Sequence, residues 1–150
     1  MQFTDFIICP ICGKKLELQG RSLLCAGDEN GKRHCFDLSS SGYCDLSYRN
    51  GGGGDPKDAV TDRTAFLDKG YYSPLSHKIN ELCRTYLGDK FLLIDAGCGE
   101  GYYSTRLANA LDAELIGLDI SKEAVRCAAA KYKNALWLCA SAAHLPVKDG

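Results

Sequence analysis

Leu92-Leu93-Ile94-Asp95-Ala96-Gly97-Cys98-Gly99-Glu100-Gly101-Tyr102-Tyr103 decides the fold. An apolar run ends in an acid, passes through a glycine-spaced loop and opens into a segment able to start a helix. Backbone without side chains can approach a ligand closely, and glycine tolerates the turn needed there. The spacing is D-x-G-x-G-x-G, whereas the dinucleotide pattern G-x-G-x-x-G carries its third glycine one residue later. Tyr102–Leu111 reads as the helix behind the loop, and its free N–H groups favour a carboxylate or phosphate nearby. Cys98 reads as a small residue packed under the turn.

Downstream, Glu114-Leu115-Ile116-Gly117-Leu118-Asp119 reads as a second strand ending in an acid. A carboxylate there can accept two hydrogen bonds from the hydroxyls of a ribose. Its distance from the glycine loop is close to the roughly 20 residues of one helix-containing crossover. Ser121 is placed to cap a helix over residues 122–132, whose Ala124, Ala128 and Ala129 allow close packing on a sheet, with Cys127 in the core. Residues 135–140 give a third strand, in which Trp137 and Cys139 alternate with Leu136 and Leu138. These β-α repeats predict an α/β fold, a parallel sheet with flanking helices. Residues 90–95 form its first strand, apolar throughout because it is buried on both faces. The glycine spacing resembles the first motif of class I S-adenosylmethionine-dependent methyltransferases.

Upstream of that strand, residues 58–69 can form a helix with Ala59, Ala65, Phe66 and Leu67 apolar, ended by Gly70. Ser73 can cap a second helix and Pro74 suits its first position. Leu75, Ile79, Leu82, Cys83, Tyr86 and Leu87 fall on one stripe, which predicts a core-facing side that includes Cys83. Gly88 stops this helix, and His77 lies off the stripe, in solvent. Gly51–Gly54 hold no single conformation cheaply, so residues 48–57 read as a flexible linker and the domain boundary.

Before the linker, Cys9-Pro10-Ile11-Cys12-Gly13 has the form of a zinc knuckle. Cys25 follows across a hairpin of residues 15–18 and 22–24, turned at Gln19-Gly20-Arg21. His34 and Cys35 stand adjacent beyond a loop at residues 27–31. Neighbouring residues on an extended segment face opposite ways, so only one of the two completes the set with Cys9, Cys12 and Cys25. His34 is the choice, with Cys35 in reserve. Four protein ligands make a closed, structural zinc site, which supplies much of the folding free energy of so small a unit. Phe36, Leu38, Tyr43 and Leu46 should close its apolar side, with Cys44 as packing.

The 150 residues suit one domain or two small ones, with 45% hydrophobic and 25% charged residues. The net charge of −1 gives no global pull towards nucleic acid or membrane, and residues 1–50 balance six Lys/Arg against six Asp/Glu. RNA binding would therefore use local patches. No stretch approaches the roughly 20 apolar residues of a membrane span. The N-terminus lacks the form of a secretory signal, so nine cysteines point to a reduced, cytoplasmic setting rather than a disulfide framework.

The whole pattern resembles the bacterial 23S rRNA guanine-N1 methyltransferases. The resemblance runs through Cys9-Pro10-x-Cys12, Cys25, His34-x-Phe36-Asp37, Gly42-Tyr43, Ala65-Phe66-Leu67-Asp68-x-Gly70-x-Tyr72-x-Pro74-Leu75, Asp95-x-Gly97-Cys98-Gly99-Glu100-Gly101-Tyr102-Tyr103, Gly117-Leu118-Asp119-x-Ser121-Lys122 and Ala140-Ser141 with Leu145-Pro146. It implies a zinc module over residues 1–47 that helps recognise a 23S rRNA hairpin. It also implies a domain over residues 58–150 that transfers methyl from S-adenosylmethionine to guanine N1. Carried over by motif, Cys9, Cys12, Cys25 and His34 would hold zinc. Tyr72, Asp95, Gly97, Gly99, Glu100, Gly101 and Asp119 would form the cofactor site. Ser141 stands where many methyltransferases place an adenine-contacting acid. Two departures matter. Cys25 and His34 lie further apart than expected, and the sheet of this class has seven strands where three are read here. The expectation is the front part of a longer enzyme whose first strand becomes an open edge, with self-association or a homodimer as the hypothesis; a dilute monomer by light scattering would count against it. Two other classes fit: an RNA- or protein-binding module with an inactive methyltransferase-like scaffold, and a methyltransferase acting on a small molecule or protein.

Overall fold

The computed structural model describes residues 3–47, 53–87 and 91–148. The expected helix stop at Gly88, the strand start at Lys90 and the linker residues 48–52 lie outside the described residues.

Strands β1 (Leu16–Gln19), β2 (Ser22–Cys25) and β3 (Cys35–Asp37) form an antiparallel sheet in the order β1-β2-β3. The hairpin turns where the Gly20-Arg21 signal placed it, with Gln19 opposite Ser22. A second sheet holds β4 (Tyr43–Asp45), β5 (Leu92–Ala96), β6 (Glu114–Asp119) and β7 (Leu136–Cys139) in the order β4-β7-β6-β5, all pairs parallel. The sequence reading counted β5, β6 and β7 but not β4, which comes from the segment assigned to the zinc module. Tyr43 pairs with Trp137 and Asp45 with Cys139. A further bridge joins Ile7 to Val147. The two regions are thus stitched together by backbone pairing at both ends of the first 47 residues.

Alternation along the strands divides the core. Ile116, Leu118, Leu138, Ala140 and Cys44 point to one face, where they pack with Ile7, Leu16, Leu23, Cys25 and Leu46. Leu115, Trp137, Cys139 and Tyr43 point to the other, against Ala108, Val125, Ala128 and Ala129. Those last four belong to α3 (Tyr102–Leu111) and α4 (Lys122–Lys131). Tyr43 therefore does not close the zinc module as expected; it is one residue from Cys44 on a strand and so faces the helices. Ser121 caps α4 as read, accepting the Ala124 N–H. Cys98 and Cys127 are half-buried and Cys139 is buried.

The other helices are α1 (Lys57–Asp68) and α2 (Ser73–Tyr86). Both depart from the sequence reading. In α1 only Val60 and Leu67 are buried, while Ala59, Ala65 and Phe66 are exposed. Tyr72 rather than Ser73 occupies the cap position of α2, and no side chain caps it. The apolar stripe of α2 faces outward, with Leu75 49%, Leu82 50% and Tyr86 82% exposed. The inward side is polar instead. Buried Ser76 accepts from Arg106 Nε at 2.8 Å, and Arg84 donates to the Ala110 carbonyl. Cys83 is half-buried rather than core, and His77 accepts from Arg106 at 3.2 Å. Hydrogen bonds to α3, not hydrophobic burial, set the rotation of α2. Strand β5 is an edge strand among the described residues, as expected, but it is not buried on both faces: Leu92 and Leu93 are half-buried and Ile94 is exposed.

Candidate donor site and metal centre

The C-terminal ends of β5, β6 and β7 converge. Gly97 and Cys98 donate to the Leu118 carbonyl at 2.8 and 3.0 Å, so the glycine loop folds over the end of β6. Asp119 then binds that loop directly: one oxygen accepts the Gly99 N–H at 2.9 Å and the other accepts the Ser121 N–H at 2.8 Å. Each oxygen keeps a lone pair. The Ala140 N–H donates to the Asp119 carbonyl at 3.0 Å, which brings Ser141 to the same rim. Ser141 Oγ accepts from the Ala143 N–H, so its hydroxyl hydrogen remains free to donate. Above Gly97 there is open space. Asp95, Gly97, Gly99, Glu100, Gly101, Asp119 and Ser141 thus share one end of the sheet. Tyr72 lies within electrostatic reach of Tyr103, on the first turn of α3, and is 41% exposed.

Burial raises the Asp95 carboxyl above its ordinary range, the Ser104 hydroxyl opposes this, and the Asp119 carboxylate adds to the rise. Burial likewise pushes the Cys98 thiol up, and the Asp95 and Asp119 carboxylates add to the rise, which fits a residue packed under the turn. Among the described residues Asp55, Asp95, Glu100 and Asp119 outnumber Arg63, the cation that reaches the loop. That balance suits a ligand with more positive than negative charge.

Sequence reasoning missed Asp55 and Arg63. Glu100 is buried, and both its oxygens accept from Arg63 Nε at 2.9 Å. Arg63 comes from α1, 37 residues earlier, and also pairs with Asp55. No spacing rule could link these positions; Arg63 reads as one more charge on a solvated face.

Trp137 shapes the floor. It is 1% exposed and its indole N–H donates to the Tyr132 carbonyl at 2.9 Å. Its ring fills the space left by Gly101 and Gly117: a Cβ at Gly101, where φ is +76°, would lie 2.5 Å from the ring. Two glycines in separate elements are therefore required by one indole.

At the other end, Cys9, Cys12, Cys25 and His34 bring their ligand atoms within 4.8 Å of one another. His34 Nδ1 lies 3.6 Å from Cys9 Sγ and 3.5 Å from Cys25 Sγ. Tetrahedral zinc with Zn–S of about 2.3 Å and Zn–N of about 2.05 Å requires S···N of roughly 3.5 Å. The set fits zinc. Cys35 is exposed and points to Asp37, so the choice between the adjacent pair falls on His34. The Cys25 thiol sits low, at about 7, because N–H groups of His34 and Gly27 outweigh its burial; at Cys9 desolvation wins over the N–H groups of Ile11 and Cys12 and pushes the thiol up to about 11.

Comparison with known proteins agrees with both halves. The family described as "RlmA, N-terminal" matches residues 7–47, and the family described as "Methyltransferase domain" matches residues 93–150. The chain is 35% identical over 150 residues to the 23S rRNA (guanine(748)-N(1))-methyltransferase of Streptomyces fradiae, covering 97% of this chain and 52% of that protein. It is 30% identical over 149 residues to the putative 23S rRNA (guanine-N(1)-)-methyltransferase YxjB of Bacillus subtilis strain 168, covering 94% of this chain and 51% of that protein. The chain thus spans about half the length of the curated relatives it matches. With a zinc ribbon of the RlmA type stitched to a methyltransferase domain, the chain is similar along nearly its whole length to one part of these two 23S rRNA guanine-N1-methyltransferases.

Proposed function

We propose that the chain carries the donor site and the zinc module of an enzyme that methylates N1 of a guanine in 23S rRNA. One observation carries this reading: the glycine loop and Asp119 meet at the ends of adjacent strands through a direct hydrogen bond, and the Ala140 N–H on the Asp119 carbonyl brings Ser141 beside them. In it, Asp119 takes the ribose hydroxyls, Ser141 the adenine edge, and Tyr72, Asp95, Gly97, Gly99, Glu100 and Gly101 line the methionine end. S-adenosylmethionine, when bound, supplies an already activated sulfonium methyl group. The protein's part is to align donor and acceptor. The acid-rich rim favours that donor, which carries two positive charges against one carboxylate.

The zinc module over residues 1–47 is read as the rRNA-hairpin recognition unit. Exposed Lys14, Lys15, Arg21, Lys32 and Arg33 suit phosphate contacts despite the balanced total charge. No helix among the described residues is long and apolar enough to cross a membrane, and a cytoplasmic setting fits an rRNA substrate. The open edge of β5 supports self-association as a subsidiary reading, tested by light scattering.

Calorimetric titration of S-adenosylmethionine tests the donor site. Asp119→Ala should weaken binding by about a hundredfold, the loss of two charge-assisted hydrogen bonds. Methyl transfer to unmodified 23S rRNA by the chain in its full natural length, with N1 methylation read by mass spectrometry, tests the acceptor. Failure to bind any adenosyl ligand, or binding remote from Gly99 and Asp119, overturns the reading.

A further inference from the structure

A ring of contacts encircles the ends of β5 and β6. Glu100 accepts from Arg63 Nε at 2.9 Å and from Nη2 at 2.8 Å. The same guanidinium pairs with the Asp55 carboxylate. Ser121 Oγ donates to the Asp55 carbonyl at 3.3 Å, and the Ser121 N–H donates to Asp119. Asp119 accepts the Gly99 N–H, next to Glu100, and the ring closes. Gly54 seats this segment: its φ is +98°, and a Cβ there would fall 2.5 Å from Ser121 Cα. The backbone around residues 54–55 lies flush on the start of α4.

We propose that Arg63 is a positioning residue of the donor site. By gripping Glu100 and Asp55 it clamps residues 54–63 onto the glycine loop and the start of α4, and so holds the loop in the shape that receives the nucleoside. The inference rests on the donor-site reading above. Direct capture of the donor's carboxylate by Arg63 is the competing role, and the charges disfavour it. Arg63 is the ring's cation against Asp55, Glu100 and Asp119, and Glu100 already occupies one edge of its planar fork. A further carboxylate would meet net negative charge.

The test uses this chain with Arg63→Met and Arg63→Lys. Each is titrated with S-adenosylmethionine and with 5′-methylthioadenosine, which keeps the nucleoside, has a neutral thioether in place of the sulfonium and lacks the amino and carboxylate groups. A clamp predicts that Arg63→Met weakens both ligands by a similar factor, roughly tenfold or more, and that lysine, with charge but no fork, weakens both less. In ligand-free protein, amide exchange in residues 57–63 and 97–103 should accelerate together, while Leu23–Cys25, which make no contact with the ring, keep their protection. Lost S-adenosylmethionine affinity with unchanged 5′-methylthioadenosine affinity would overturn the clamp in favour of carboxylate binding. Unchanged affinity for both ligands, or faster exchange in α1 alone, would overturn it outright. If the wild-type chain binds neither ligand, the donor-site reading fails and the exchange experiment alone decides the clamp. If Arg63→Met loses protection at Leu23–Cys25 as well, Arg63→Lys is judged by the same criteria.

Discussion

The two faces of the parallel sheet are covered by different means. On one, α3 and α4 press small side chains, Ala108, Ala128 and Ala129, against Trp137 and Leu115. The helices follow directly from the strands they cover, so this face is built from local β-α units. On the other, Ile116, Leu118 and Leu138 are covered by Ile7, Leu16, Leu23 and Cys25, from more than 90 residues earlier in the chain. That cover is held in shape by the Cys9, Cys12, Cys25 and His34 cluster. One face is secured by packing alone; the other depends on a metal-ligating set. The zinc module therefore covers one whole face of the sheet.

The largest test breaks the metal-dependent face. Structural zinc contributes on the order of 10 kcal/mol in small modules. Cys25→Ser should abolish stoichiometric zinc, measured by atomic absorption, and strip amide protection from β1–β3 while exposing the Ile116–Leu118 face to an apolar dye. Cys35→Ser should leave zinc content unchanged and stability within about 0.5 kcal/mol, since it sits on an exposed strand position.

A smaller effect comes from the packed face. Trp137→Ala should cost about 3–5 kcal/mol in denaturant unfolding, the range for an emptied aromatic site. The loss should also loosen the glycine loop, because Gly101 packs against the ring. Zinc content should stay near stoichiometric. If it fell as well, the two faces would be one cooperative unit rather than two.

The smallest effect sits at the seam. Asp45 on β4 accepts from Lys122 on α4 at 3.1 Å. Burial alone would raise the Asp45 carboxyl; the Ser47 hydroxyl and N–H and the Lys122 ammonium more than offset it and hold it below the usual range. Its folded value is thus lower than its unfolded one. The stabilisation is present above the ordinary carboxylate range and is lost as pH falls through the lower folded value. Both partners are substantially exposed, so Asp45→Asn should cost less than about 1 kcal/mol at neutral pH. The difference in denaturation midpoint between wild type and Asp45→Asn should shrink towards zero as the pH drops below that value. A constant difference would mean that Asp45 contributes through packing alone.

Much of the donor end was legible because its signals are local. A strand with Asp95 at its penultimate position, glycines at fixed offsets, a helix starting at Tyr102 and an acid closing the next strand all lie within one β-α-β unit, where spacing and periodicity carry the information. The zinc set was legible for a related reason: thiolates and imidazole at ligand spacing have few other uses. The choice of His34 over Cys35 needed the fold, since both orientations of an extended segment satisfy the same pattern.

Other features depend on partners far apart in the chain. The apolar stripe of α2 predicts its own burial, yet the hydrogen bonds of Ser76 and Arg84 to α3 turn that stripe outward. β4 is a short strand whose place beside β7 is decided by a pairing across more than 90 residues. Arg63 acquires its significance from Glu100, and Gly54 from Ser121. Periodicity and spacing report what a segment can bury and which ligand atoms it can offer. Which surface meets which is settled by competition among all possible contacts, and that competition is resolved when the chain closes on itself.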